Sequence, residues 1–183
     1  MEIVLARHGR PKFHHGDWIA PRDLGEWIAR YNAAGIGRDE PTAAVMQRAA
    51  SARIISSQAP RCVESARRLA RDGEDLADDI FREAELPHPL WPWPKLHPAL
   101  WVVLFRLAWF CGFGPRVESY SNATLRARAA AEKLMALAQG ADAVLLVGHG
   151  VMNSLIGKQL LALGARGPTY PQSRYWDFSV YRL

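Results

Sequence analysis

Arg7-His8-Gly9 sets a guanidinium, an imidazole and a residue without a side chain in succession. A guanidinium presents a planar fork matched to phosphate oxygens. A neutral imidazole is a nucleophile or base near neutral pH, and glycine lets backbone approach a ligand closely. Val147-Gly148-His149-Gly150 repeats the logic with a second histidine in a tight turn. A helix opening after that turn would aim free N–H groups at an anion. Ser56-Ser57-Gln58-Ala59-Pro60-Arg61 supplies a second guanidinium. Each segment alone is ordinary surface chemistry; together, two histidines and two arginines in equivalent settings point to a phosphate site.

The setting is equivalent because each segment follows a short apolar run. Ile3 to Ala6, Arg53 to Ser56 and Ala143 to Val147 read as strands, the first and third buried, with Trp176 to Tyr181 as a closing strand. Helical spacing is present from Leu24 to Ala34, after Pro41, and from Pro60 to Gly73. It returns from Ala99, from Asn122 to Gln139 with Ser121 as the expected N-cap, and from Met152 to Leu163. A short apolar element spans Asp79 to Arg82, and Pro87, Pro89, Pro92, Pro94 and Pro98 keep the following stretch irregular. Strands alternating with helices predict a layered α/β domain whose ligand site lies outside the carboxyl ends of parallel strands. The three segments would then meet at one sheet edge.

Composition sets the outer bounds. The 183 residues suffice for one domain with a sizeable core, and no internal repeat divides them. The formal charge is +5, but 19 of the 23 basic residues are arginines scattered without a block. That distribution reads as a solvated basic surface rather than a nucleic-acid interface. The longest apolar stretch, Ala99 to Phe113, is interrupted by Arg106 and too short for a transmembrane span. Two cysteines make no disulfide framework, and the first residues lack a signal-peptide pattern, so a cytoplasmic location is expected.

The motifs and their order resemble the histidine phosphatase superfamily, in its phosphoglycerate mutase-like phosphatase branch. Leu5-Ala6-Arg7-His8-Gly9 is similar to the family's Arg-His-Gly signature, and Ser56 to Ala66 resembles its Ser-Ser-Pro-Leu-x-Arg-Ala-x-x-Thr-Ala segment. Leu146 to Gly150 resembles the segment of the second histidine and Phe81-Arg82-Glu83 a Leu-Arg-Glu acid motif; with Glu118-Ser119 these follow the family's order over nearly the whole chain. Gln58 and Ala59 depart from Pro-Leu, and the residues after Gly9 lack the Glu-Thr of sugar-phosphate mutases. The resemblance implies a three-layer α/β/α sandwich with a mostly parallel central sheet, residues 1–183 forming one domain and 87–118 a helical, proline-rich lid insertion. It implies a phosphomonoester hydrolase of small phosphorylated metabolites, with His8 as nucleophile and Arg7, Arg61 and His149 holding the phosphoryl oxygens. Glu83 fits the general acid by motif, with Glu85 as runner-up; Gly9 and Gly150 line the substrate. Neither cofactor nor metal is called for. The rival readings are a phosphoglycerate mutase-type phosphotransferase, a protein-phosphohistidine phosphatase, and a non-catalytic binder of a phosphorylated ligand.

The segment after the acid is the least determined. On a helix from Ala99, Leu100, Val103, Leu104, Leu107 and Cys111 form one stripe at core spacing, while Trp101, Phe105 and Trp109 form another face. Three placements follow: burial on all sides, a homodimer contact, or a lid whose Trp101 and Trp109 shape a pocket for an apolar leaving group. His14 and His15 are expected in a surface loop rather than on a metal, and Cys62 and Cys111 as packing residues.

Overall fold

The fold is described from a computed structural model covering residues 1–70 and 76–183. In chain order the elements are β1 (Glu2–Arg7), α1 (Leu24–Ala33), α2 (Ala43–Ala49), β2 (Ala52–Ser56), α3 (Pro60–Leu69), β3 (Leu76–Ala77), α4 (Pro98–Phe110), α5 (Tyr120–Ala138), β4 (Ala143–Gly148), α6 (Gly150–Ala162) and β5 (Phe178–Arg182). Single 3-10 turns lie at Pro21–Asp23 and Asp79–Phe81. The sheet order is β3-β2-β4-β1-β5, parallel except for β5, which runs antiparallel to β1. This is the phosphoglycerate mutase-like α/β/α arrangement that the motifs imply.

Alternation along the buried strands builds the layers. Ile3, Leu5, Val144 and Leu146 face α5 and α6, whose Ala123, Ala127, Ala130 and Ala131 allow close approach. Val4, Ala6, Leu145 and Val147 face the opposite layer, where Val45 of α2 and Cys62, Ala66 and Leu69 of α3 complete the packing. A third cluster joins Leu24 and Trp27 of α1 to Leu86, Trp101 and Phe105. Register matters most for function. Arg7 pairs with Gly148, and Ser56 pairs with Val147, so three strands end at one level.

Several boundaries move from the sequence reading for identifiable reasons. Helix α5 begins at Tyr120 because the Ser119 side chain, not Ser121, accepts from the Asn122 backbone N–H at 3.1 Å. Thr42, accepting from Val45 N–H, starts α2 two residues beyond Pro41. Helix α6 starts at Gly150, and β5 at Phe178, since Trp176 adopts φ 64° and leaves the extended region. Helix α3 closes at Leu69, and the expected end at Gly73 lies outside the described residues.

Helix α4 reverses its expected faces. Trp101, Phe105 and Trp109 are 5%, 4% and 0% exposed. The aliphatic stripe at core spacing, Leu100, Val103, Leu104 and Leu107, is instead 47–59% exposed. Large flat rings remove more apolar area from water than aliphatic chains, so they take the inward side. Trp101 and Trp109 also satisfy their indole N–H groups inside, on the carbonyls of Ile19 (2.8 Å) and Glu118 (2.7 Å). These two tryptophans therefore do not shape an open substrate pocket. Among the described residues no helix is long and apolar enough to cross a membrane.

The two faces of α4 should separate in stability measurements. Phe105→Ala should cost about 3–5 kcal/mol by loss of a buried ring, whereas Leu104→Ala should cost less than about 1 kcal/mol. Urea denaturation of both variants checks the assignment; equal costs would reverse it.

Candidate active site

The ends of β1, β2 and β4 bring Arg7, His8, Ser57, Arg61 and His149 together, although up to 142 positions separate them in sequence. His8 is 2%, Arg61 2% and His149 1% exposed. The two imidazole centroids lie 5.3 Å apart, near edge-on at 69°. Gly9 is required here by packing: a Cβ at this position would run into the Trp176 ring. Its N–H donates to Ser65 Oγ (2.9 Å), which in turn donates to the Arg61 carbonyl (2.6 Å), tying the β1 turn to the first turn of α3.

The hydrogen bonds fix the tautomers. His8 Nδ1 lies 2.7 Å from the Gly9 carbonyl, which can only accept, so Nδ1 carries the proton. His8 Nε2 is left with a lone pair, and the Arg61 Nε–H points at it from 3.3 Å. Arg61 Nη2–H similarly faces His149 Nδ1 at 3.3 Å, which places the second imidazole's proton on Nε2, donating to Ser57 Oγ at 3.0 Å. Arg61 Nη2 also reaches Asn32 Oδ1 at 3.4 Å.

Both histidines are held well below their usual pKa, first by burial. For His8 the neighbouring His149 and Arg61 add to the effect, and for His149 Arg61 and Arg7 do. Each is therefore neutral at pH 7, the state a nucleophile needs. Burial also pushes the Cys62 thiol, 3.4 Å from His149 Nε2, up to about 12, so it stays protonated as a packing residue.

Among the described residues, no carboxylate pairs with the guanidinia of the site, Arg7 and Arg61. Arg7 Nε and Arg61 Nη1 are buried donors without a partner. Arg7 donates through Nη1 to the Ser173 carbonyl and sits 4.4 Å from the centroid of the Tyr175 ring. Arg61 sits 4.8 Å from the Tyr31 ring. An aromatic face steadies a guanidinium without neutralising it. Gly150 opens α6 beside Arg7, its Cβ position only 3.8 Å from the guanidinium carbon. Two unpartnered donors, a helix start and an imidazole lone pair met only by a guanidinium N–H suit an anion.

Of the two acid candidates, only Glu83 reaches α6. Its carboxylate accepts from Met152 N–H (2.9 Å) and Val151 N–H (3.3 Å), immediately after Gly150. The Glu85 carboxylate is turned elsewhere, onto the Glu118 backbone N–H at 2.8 Å, on an exposed residue. Trp101 and Trp109 are buried as described above. His14 and His15 lie in an exposed loop, where His15 stacks on Trp27 with ring centroids 5.7 Å apart. The sequence reading missed Tyr31, Tyr175, Asn32 and Ser65, all of which touch the site. Ser65 carried a signal, four residues after Arg61 on one helix face, whereas Tyr175 carried none.

The model of the histidine phosphatase superfamily (branch 1) matches residues 3–182. The chain belongs to that family. Among curated proteins, none matches this chain. Solved structures share the fold at low identity. A mycobacterial hydrolase aligns at 20% identity and TM-score 0.65, over 99% of this chain and 94% of its own. Mycobacterial glucosyl-3-phosphoglycerate phosphatase aligns at 20% identity and TM-score 0.57, over 88% and 79%. A phosphoserine phosphatase from Entamoeba histolytica aligns at 17% identity and TM-score 0.54, over 88% and 80%. Family membership supports phosphatase or phosphotransferase activity for this histidine phosphatase-like chain.

The neutral buried histidines predict acid sensitivity. Their folded pKa values lie below the unfolded value of about 6.5, so the unfolded state binds more protons once pH falls under that value. Stability should be flat above about pH 7 and fall below about pH 6.5, by at most about 1.4 kcal/mol per pH unit per histidine. Urea midpoints between pH 8 and 5 measure it, and His149→Asn should flatten the slope.

Proposed function

We propose that the protein hydrolyses small phosphomonoesters through a phosphohistidine on His8. The observation that carries this reading is the pair of guanidinia without carboxylates, aimed at the same space as an imidazole lone pair. A pure binder would gain nothing from presenting that lone pair. In the first step His8 Nε2 bonds to phosphorus while the ester oxygen departs with a proton from Glu83. In the second, Glu83 takes a proton from water as its oxygen bonds to phosphorus, releasing inorganic phosphate and restoring the imidazole. Arg7, Arg61 and His149 hold the three non-bridging oxygens, whose charge spreads in the transition state. Because Arg61 Nε–H already faces the His8 lone pair, an arriving phosphoryl group must draw that guanidinium onto its own oxygens, freeing the nucleophile.

Two fold neighbours are phosphatases of glucosyl-3-phosphoglycerate and of phosphoserine, which makes small phosphorylated metabolites the class to screen. Residues 87–118 form the cap insertion in this reading. Ile19 and Leu96 bridge as antiparallel backbone, and Arg22 N–H donates to the Trp91 carbonyl at 3.2 Å, fastening this segment to the entry of α1.

Quenching during turnover should trap acid-labile, base-stable phosphate on the protein, and His8→Ala should abolish both the label and turnover. Arg61→Lys keeps charge but loses the fork, and should lower kcat/KM about a hundredfold. Turnover by His8→Ala near the native rate would sink the mechanism. Transfer of the phosphoryl group to an added alcohol in preference to water would favour a phosphotransferase instead.

A further inference from the structure

Among the described residues no strand pairs with the segment that carries Glu83, so its backbone groups are satisfied in another way. Two arginines do this. Arg126 of α5 donates through Nη1 to the carbonyls of Ile80 (2.9 Å) and Arg82 (2.8 Å). Arg106 of α4 donates through Nη2 to the Ala84 carbonyl (2.8 Å) and through Nη1 to the Glu85 carbonyl (3.1 Å). The carbonyls on both sides of Glu83 are thus gripped by planar forks arriving from different helices.

Each fork is itself held. Arg126 Nε and Nη2 form a bidentate pair with the two oxygens of Glu118, at 2.8 and 2.6 Å, with both side chains about nine-tenths buried. The same Nη1 lies 3.5 Å from Met152 Sδ, on the residue whose backbone N–H orients the Glu83 carboxylate. Arg106, the only charge on α4, turns away from the exposed aliphatic stripe and lies 4.9 Å from the Trp109 ring centroid. Glu118 also contacts Arg82 at 3.5 Å, closing the loop around the segment.

We propose that Arg126 and Arg106 are positioning residues for Glu83, setting the depth and angle at which its carboxyl meets the leaving-group oxygen. The assignment rests on Glu83 being the general acid. Neither arginine hydrogen-bonds Arg7, His8, Arg61 or His149; their donors go to the backbone around Glu83, to Glu118 and to Met152. Their effect falls on protonation of the leaving group, a step sensitive to displacements of about 1 Å. It matters for a poor alkoxide and little for nitrophenolate, which leaves unaided.

The test compares p-nitrophenyl phosphate with glycerol 2-phosphate across variants of the full chain. Glu83→Gln comes first, because a selective loss on glycerol 2-phosphate establishes the acid independently. Arg106→Met should then lower kcat for glycerol 2-phosphate about tenfold, and for p-nitrophenyl phosphate less than threefold. Arg106→Lys, which keeps the charge and loses the fork, should retain at least about a threefold selective loss. Adding Arg106→Met to Glu83→Gln should cost nothing further on either ester, since the group being positioned is gone. Arg126→Met should show the same selectivity. Should it fail to fold, which breaking a buried pair can cause, the Arg106 variants decide alone.

The outcomes separate cleanly. Selective loss in Glu83→Gln without selective loss in Arg106→Met overturns the positioning role and leaves the acid in place. Equal losses on both esters in Arg106→Met, full activity in Arg106→Lys, or an undiminished effect in the double variant overturn it as well. No selectivity in Glu83→Gln removes the acid assignment and the positioning role with it.

Discussion

A buried guanidinium held by neutral partners governs the rest of the site. Removing an ion from water costs several kcal/mol unless an opposite charge or strong acceptors replace the hydration. Among the described residues, the Arg61 guanidinium meets imidazole lone pairs, an amide oxygen and the face of a tyrosine ring. Those contacts orient it without neutralising it, and its charge adds to the burial that keeps both imidazoles unprotonated. The tautomers of both imidazoles and the unneutralised charge of Arg61 are therefore one arrangement, on which the proposed nucleophile and anion site depend. Ser57 and Ser65 matter for the same reason, since they fix the second imidazole and the carbonyl of Arg61 itself.

What brings these groups together is backbone register, and register is why much of the site can be read from sequence. Arg7, Ser57 and His149 each follow a run of buried strand residues, and parallel pairing aligns those ends without help from their side chains. The layered fold follows equally directly from alternating apolar strands and helices. The residues that escaped are those whose position depends on tertiary direction. Tyr31 lies on α1 and Tyr175 in the loop before β5, and nothing in their local pattern says that each ring covers a guanidinium. The faces of α4 escaped for a related reason. Apolar residues surround that helix, so periodicity alone cannot choose the inward side, and ring area together with indole hydrogen bonds decided it. At α5 two serines competed for the cap; the one whose oxygen meets an N–H three residues on was Ser119.

The acid side is built on a different principle. The proposed phosphate clamp stands on the ends of β1 and β4 and the first turn of α3, where regular hydrogen bonding sets position within narrow limits. Glu83 stands on an irregular segment whose carbonyls are satisfied by arginine side chains from α4 and α5. Side-chain forks are individually replaceable in a way that a sheet ladder is not. The backbone of Glu83 therefore rests on α4 and α5, while its carboxylate rests on the first turn of α6, next to His149.

That arrangement leaves the exposed aliphatic stripe of α4 out of these contacts. Its contact with the chemistry passes through Arg106 and the inward aromatic face, both of which lie away from the stripe. Trp109 anchors the helix to the main core, while Trp101 and Phe105 lie in the smaller cluster with α1. The helix thus spans two packing units, and its one charged side chain reads the position of one of them out to Glu83. In the proposed mechanism a displacement of α4 would reach Glu83 first, since the side-chain hydrogen bonds of Arg7, Arg61 and both histidines involve no residue of α4.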